Sequence, residues 1–133
     1  NGVYTTHSET YMDPNDILWW SKGGILKGES PDRIAFLREI MESSPLTGMN
    51  SYNPSWPWSN KAIGDINQYL LMYFGTHQPS YWDFEFPEGG DYKIEVIDPW
   101  EMSITPLKGI FKGKIRVQLP GEPYLALRVQ RIN

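Results

Sequence analysis

The sequence contains no cysteine and only two histidines among its 133 residues. The lack of cysteine excludes disulfide bonds, thiolate metal sites and a cysteine nucleophile, but it does not indicate a cellular compartment. His7 and His77 lie far apart, and neither has a second histidine at helical spacing. The residue types therefore predict no metal site and no cofactor.

Long apolar runs and clusters of positive charge are also missing. The longest apolar run, "YLLMYF" at residues 69–74, is far shorter than the roughly 20 residues that span a bilayer. The twelve lysines and arginines are scattered and the net charge is −4, so the sequence indicates no basic surface that would bind a nucleic-acid backbone. We expect a soluble, single-core protein with neither membrane nor nucleic acid as partner, and its location, cytoplasmic or secreted, stays open. Because it begins at Asn1, on a strand-like run, we expect a fragment or a processed product.

One segment has a helical pattern. Ser30 is a good N-cap, Pro31 suits the first helical position, and Pro45 ends the segment. Apolar residues recur between them at helical spacing, which predicts a helix of about three turns that buries this stripe. The stripe consists of Ile34, Phe36, Leu37, Ile40 and Met41.

The C-terminal half has a period of two instead. Apolar and polar residues alternate in four stretches, and Pro/Gly turns separate them. We predict a mainly β fold, an antiparallel β-sandwich over residues 65–133, preceded by a connector at 46–64 and a separate segment at 1–45. "PEGGDY" predicts a glycine-bearing hairpin between two of the strands, and "QYLLMYFG" a central strand covered on both faces. The inward-facing sets are Trp82/Phe84/Phe86, Tyr92/Ile94/Val96, Ile115/Val117/Leu119 and Leu125/Leu127/Val129.

The aromatic content is high, with six tryptophans and eight tyrosines. Such rings are commonly core residues, but flat aromatic faces beside carboxylates and amides also bind sugars. Both interpretations stay open for Trp19 and Trp20, and for Trp56 and Trp58 in the connector. A carbohydrate-binding module without catalysis would use exposed rings, with Tyr81, Trp82 and Trp100 as the candidates in the sandwich.

The stretch "YTTHSETYMDPNDILWWSKGG", residues 4–24, concentrates polar groups near the start of the chain. His7 and Glu9 are two apart at the end of a strand-like run, so their side chains share one face. Asp13 and Asp16 fit turn and helix-cap positions around a proline better than a metal or proton-transfer site. We therefore treat His7 and Glu9 as the functional candidates of this stretch.

Several long stretches, among them "GVYTTHSETY", "DPNDILWWSKGGILKGESPDRIAFLREIMES" and "IRVQLPGEPYLALRV", resemble the C-terminal portion of bacterial glycoside hydrolases of the apiosidase-like, cellulase-related TIM-barrel group. The resemblance spans nearly the whole chain. It implies that residues 1–45 are the last strand, loop and helix of a TIM barrel. It also implies that residues from about 65 form the β-sandwich domain appended to that barrel.

The resemblance carries expectations about function. Barrel glycosidases of this type hold their catalytic carboxylates on earlier strands, so that pair is expected upstream of this chain and Glu9 is a weak catalytic candidate. His7, Glu9, Trp19 and Trp20 would contact a glycan substrate. The chain would brace the parent enzyme and be inactive alone, with the rest of the barrel or a second copy of the chain as its partner. A carbohydrate-binding module and a plain structural or interaction domain are the alternatives.

Overall fold

The computed structural model describes residues 30–52 and 61–133. The chain divides into two compact units, and the boundary falls between Glu42 and Ser43. The described elements are one helix and eight short strands, so the fold is mainly β, as predicted. In the described ranges, no helix is long and apolar enough to cross a membrane. The elements are α1 (Ser30–Glu42), β1 (Ser51–Tyr52), β2 (Lys61–Asp65), β3 (Tyr69–Tyr73), β4 (Tyr81–Glu85), β5 (Tyr92–Asp98), β6 (Ser103–Pro106), β7 (Lys114–Gln118) and β8 (Ala126–Arg131).

The predicted helix is confirmed as α1, and its predicted buried stripe is confirmed only in part. Leu37 and Met41 are exposed, whereas Ile40 is buried. Besides Ile40, the side chains of Arg33, Ile34 and Phe36 are half-buried. The apolar stripe is wider than the buried line, so Leu37 and Met41 lie on its exposed flank.

The strands form two antiparallel sheets. The large sheet has six strands in the order β1-β2-β3-β8-β5-β6, and the small sheet pairs β4 with β7. β3 and β8 are central in the large sheet, in agreement with the apolar character of "QYLLMYFG". β1 and all but the last residue of β2 lie in the range that the sequence assigned to the connector, and β6 was not predicted.

The hydrophobic core contains residues from both sheets, as in a β-sandwich. Phe84 stacks on Phe86, with ring centroids 5.1 Å apart, and Phe86 stacks on Tyr92 at 4.1 Å. Trp82 of β4 lies against Phe74, with centroids 5.3 Å apart. These contacts join the small sheet to the large one, and they confirm the inward-facing residues that the period of two predicted.

The predicted hairpin through "PEGGDY" was wrong. β4 pairs with β7, whereas the next strand along the chain, β5, pairs with β6 and β8 in the other sheet. Gly90 allows a close approach instead. A Cβ on Gly90 would lie 2.5 Å from Cε2 of Tyr92, so any larger residue would clash with the ring.

Candidate functional site: the second face of the large sheet

The large sheet has two faces. One carries the core residues, and we call the other the second face. Residues directly opposite each other in an antiparallel pair share a face, so the register defines three rows on it. The rows are Ile63-Leu71-Arg128-Glu95-Pro106, Lys61-Tyr73-Ala126-Ile97-Ile104 and Asp65-Tyr69-Gln130-Lys93.

The centre of the second face is buried although it does not belong to the core. Tyr69, Ile97 and Ala126 are all buried, yet none of them is part of the core cluster. Lys93 and Gln130, by contrast, are exposed at the margin of this face. The centre of this face is therefore covered within the chain, whereas one face of an antiparallel sheet is commonly solvated.

An ion pair lies in the row Ile63-Leu71-Arg128-Glu95-Pro106, which runs between the other two rows. Nε of Arg128 donates a hydrogen bond of 2.5 Å to Oε2 of Glu95, and the two side chains are only 16% and 29% exposed. Burial by itself lowers the pKa of the Arg128 guanidinium, but the hydrogen bond and the charge of Glu95 outweigh it and raise the pKa. The Arg128 guanidinium is therefore held in its charged form in a partly dry setting.

The Tyr69 hydroxyl lies beside this ion pair. Burial raises the pKa of Tyr69, and the neighbouring Arg128 charge partly offsets that effect. The hydroxyl faces Arg128 and Ser43, but it is poorly aligned for a hydrogen bond to either of these residues. Tyr69 therefore adds to the second face a buried hydroxyl group whose hydrogen bonding is only partly satisfied.

The segment after the helix crosses part of the second face. Nη1 of Arg128 donates a hydrogen bond of 3.1 Å to Oγ of Ser43, and the amide of Gly64 donates one of 2.8 Å to the carbonyl of Asn50. Residues 43–50 thus run from above β8 to the edge where β1 meets β2. This segment supplies one cover for the second face.

The outer face of the small sheet is the contrasting surface. Arg116 makes a bidentate contact with Asp83, both bonds being 2.7 Å, but these side chains are 54% and 56% exposed. The hydrogen bonds from Arg116 lower the pKa of the Asp83 carboxyl. The Arg116 guanidinium also lies 4.0 Å from the centre of the Tyr81 ring. This face carries a solvated charge ladder.

The chemistry of these contacts is structural. Both cross-strand pairs join opposite charges, which favours fixed ionisation and not proton transfer. Across residues 30–52 and 61–133, no three histidines, aspartates or glutamates come together in a way that could hold a metal ion. The second face is thus a surface for packing and positioning.

The sequence-predicted site residues have different outcomes. His7, Glu9, Trp19 and Trp20 lie outside the described residues, as do Trp56 and Trp58.

The three candidate rings of the sandwich do not share one platform. Trp82 is half-buried against the core, and Tyr81 lies on the outer face of the small sheet. Trp100 is exposed in the turn after β5. The sequence analysis missed Arg128 and Glu95, which alternate with core residues and so looked like solvent-facing positions.

The family model described as "Domain of unknown function (DUF5605)" matches residues 58–130. Among curated proteins, no significant match is found. The crystal structure of "a putative glycoside hydrolase from Bacteroides vulgatus ATCC 8482" is 28% identical, with a TM-score of 0.76. The alignment covers 98% of this chain and 29% of that protein, so this chain spans under a third of its length.

A second solved structure, titled "Glycoside hydrolase", supports the likeness at the level of fold. It is 17% identical with a TM-score of 0.52, and the alignment covers 74% of this chain and 24% of that one.

Proposed function

This chain belongs to the family described as "Domain of unknown function (DUF5605)", and on that premise we propose that it is the C-terminal part of a glycoside hydrolase. In this proposal the β-sandwich braces the catalytic domain and supplies no catalytic carboxylate. Residues 1–45 contribute the last strand, loop and helix of a TIM barrel of the apiosidase-like group. His7, Glu9, Trp19 and Trp20 contact the glycan at the rim of its cleft.

Two findings support the proposal of a partial enzyme. Both structural neighbours bear titles that describe glycoside hydrolases, and each is several times longer than the aligned region. The described residues bring together ion pairs and apolar surface, and the retaining mechanism needs instead two carboxyl groups about 5–5.5 Å apart. The proposal therefore places the catalytic pair upstream and predicts that this chain is inactive alone.

The observation that carries the bracing role is the burial at the second face. Ile97 and Tyr69 are as inaccessible as core residues, although they point away from the core. Burying an aliphatic side chain of this size contributes about 1.5–3 kcal/mol, so such a face is a stabilising contact surface. The ion pair of Arg128 and Glu95 joins β8 to β5 on this face and adds a directional contact between the two strands.

The experiment compares this chain with the longer protein of which it forms part. Both are assayed against a panel of aryl glycosides. We expect turnover by the longer protein only, and Glu9→Gln in that protein should reduce kcat/KM without abolishing the reaction, because Glu9 contacts substrate in this proposal. Turnover by this chain alone would contradict the proposal, as would the absence of turnover by the longer protein with every glycoside of the panel.

A second candidate function is carbohydrate binding by the sandwich itself. It is favoured by half-exposed aromatic side chains, including Tyr73, Tyr124 and Trp100. A plain structural or interaction domain without any sugar role is the remaining alternative, and no specific contact of the described residues favours it.

A further inference from the structure

Helix α1 carries an apolar line that this chain leaves partly uncovered. Ile34, Leu37 and Met41 follow one another at spacing i, i+3 and i+7, so they lie along one side of the helix. Leu37 is 43% exposed and Met41 is 36% exposed, while Ile34 is half-buried. Apolar residues scattered singly over a surface are ordinary, but an apolar line along one helix is typical of a contact surface.

This line is distinct from the buried side of the helix. Successive residues of an α-helix are about 100° apart around its axis, so Phe36 and Ile40 lie roughly 100° from the line. Ile40 is buried and Phe36 is half-buried. On the other flank, Nε of Arg38 donates a hydrogen bond of 2.7 Å to Oε1 of Glu42, and these side chains are 75% and 63% exposed. α1 therefore has a buried side, an uncovered apolar line and a solvated polar side.

The size of the unit that contains α1 gives this line an energetic meaning. The helix belongs to the compact unit Val3–Glu42, and a unit of about 40 residues is near the lower limit for a single hydrophobic core. The chain has no cysteine, so no disulfide strengthens the unit. A helix of 13 residues also depends on tertiary packing for its stability. Contacts within this chain leave Leu37 and Met41 exposed, so a further partner that covers them would stabilise the unit.

The spacing of the line suits a second helix as that partner. Apolar residues at intervals of three and four residues match the contact positions of two packed helices. In a TIM barrel the helices form an outer ring around the sheet, so each has the sheet on one side and a helix on each flank. The structural neighbour that is 28% identical is covered only to 29% of its length, so most of that protein has no counterpart in this chain.

We propose that Ile34, Leu37 and Met41 form a helix-binding seam, and that its occupant is an amphipathic helix of the catalytic domain outside this chain. The apolar residues of that helix pack between the side chains of the seam. The polar flank with Arg38 and Glu42 stays in solvent. This inference rests on the proposed function, because it takes this chain to be part of a longer glycoside hydrolase, and it adds the surface through which α1 joins the rest of the barrel.

The test uses cysteines introduced on α1, since the chain has none of its own. Leu37→Cys and Glu39→Cys are each treated with a thiol reagent, in this chain alone and within the longer protein, and the labelled peptide is quantified by mass spectrometry. Glu39 is exposed and lies on the side of the helix opposite the seam, so Glu39→Cys is the matched control. We expect Leu37→Cys to be labelled at least about tenfold more slowly in the longer protein, and Glu39→Cys at the same rate in both.

Met41→Cys repeats the measurement one turn further along the seam, and it should be protected in the same way. Equal labelling of both seam cysteines in the two settings would overturn the proposal, as would equal protection of Glu39→Cys. A dimer of this chain that protects Leu37→Cys as strongly would also overturn it, because the seam would then bind a second copy; sedimentation velocity detects such a dimer.

The aryl glycoside assay separates this inference from the proposed function. Protection of Leu37→Cys in a longer protein that turns over no glycoside would refute the proposed function and leave the seam in place. Turnover by a longer protein in which Leu37→Cys and Met41→Cys are labelled freely would refute the seam alone.

Discussion

Two cross-strand pairs of arginine and a carboxylate lie in this protein, and their surroundings differ. Arg128 and Glu95 pair on the second face of the large sheet at 16% and 29% exposure, whereas Arg116 and Asp83 pair on the small sheet at 54% and 56%. The chemical groups and the cross-strand geometry are similar. The difference shows that an alternating strand reveals which residues share a face, but not whether the polar face meets solvent.

The largest expected effect is at Ile97, which is buried on the second face. Ile97→Ala should reduce the free energy of unfolding by about 2–5 kcal/mol, because it removes buried methyl groups and leaves a cavity. Ile110, which is 57% exposed, provides the matched control, and Ile110→Ala should change stability by less than about 0.5 kcal/mol. Urea unfolding of both variants measures the difference. Equal effects would mean that the second face is not a packed surface.

The next effect separates the two ion pairs. Arg128→Ala should cost about 1–3 kcal/mol, since it leaves the partly buried Glu95 carboxylate without its cross-strand partner. Arg116→Ala removes an exposed pair that solvent screens, so it should reduce the free energy of unfolding by less than Arg128→Ala does. Chemical denaturation at pH 7 compares the two variants, and a larger loss for Arg116→Ala would reverse the comparison.

The smallest effect is a pH dependence on the small sheet. The hydrogen bonds from Arg116 lower the pKa of Asp83 in the folded state, so the pair adds stability above the pKa of the unfolded chain, about 3.9. That contribution is lost as the pH falls through the lowered pKa of the folded state. The difference in free energy of unfolding between the Asp83→Asn variant and the unmodified chain should therefore become smaller below pH 4. Melting curves from pH 2.5 to 7 test this, and a difference that widens in acid would contradict it.

The residues of the core could be predicted from the sequence because they alternate with polar residues along the strands. Leu127 and Val129, for example, face the core as the period of two requires. The pairing of β4 with β7 could not be predicted in this way. Its central pair, Asp83 and Arg116, is 33 residues apart in the chain, and a local pattern does not encode such a contact.

The candidate site was harder to predict than the fold. Arg128 and Glu95 occupy polar positions in regular strands, so no local signal marks them as partly buried. One signal did exist in "QYLLMYFG", whose apolar residues on both faces predicted a strand covered twice. Tyr69 and Leu71 of that strand lie on the second face, and Tyr69 is buried there.

The most direct test of the bracing role measures access to the second face. Gln130 is exposed at the rim of that face and Gln118 is exposed on the small sheet, and the chain has no cysteine of its own. Gln130→Cys and Gln118→Cys are each labelled with a thiol reagent, in this chain alone and within the longer protein, and the labelled peptide is quantified by mass spectrometry. The account predicts that Gln130→Cys is labelled at least tenfold more slowly in the longer protein, while Gln118→Cys is labelled at the same rate in both. Equal rates for Gln130→Cys in the two settings would contradict it.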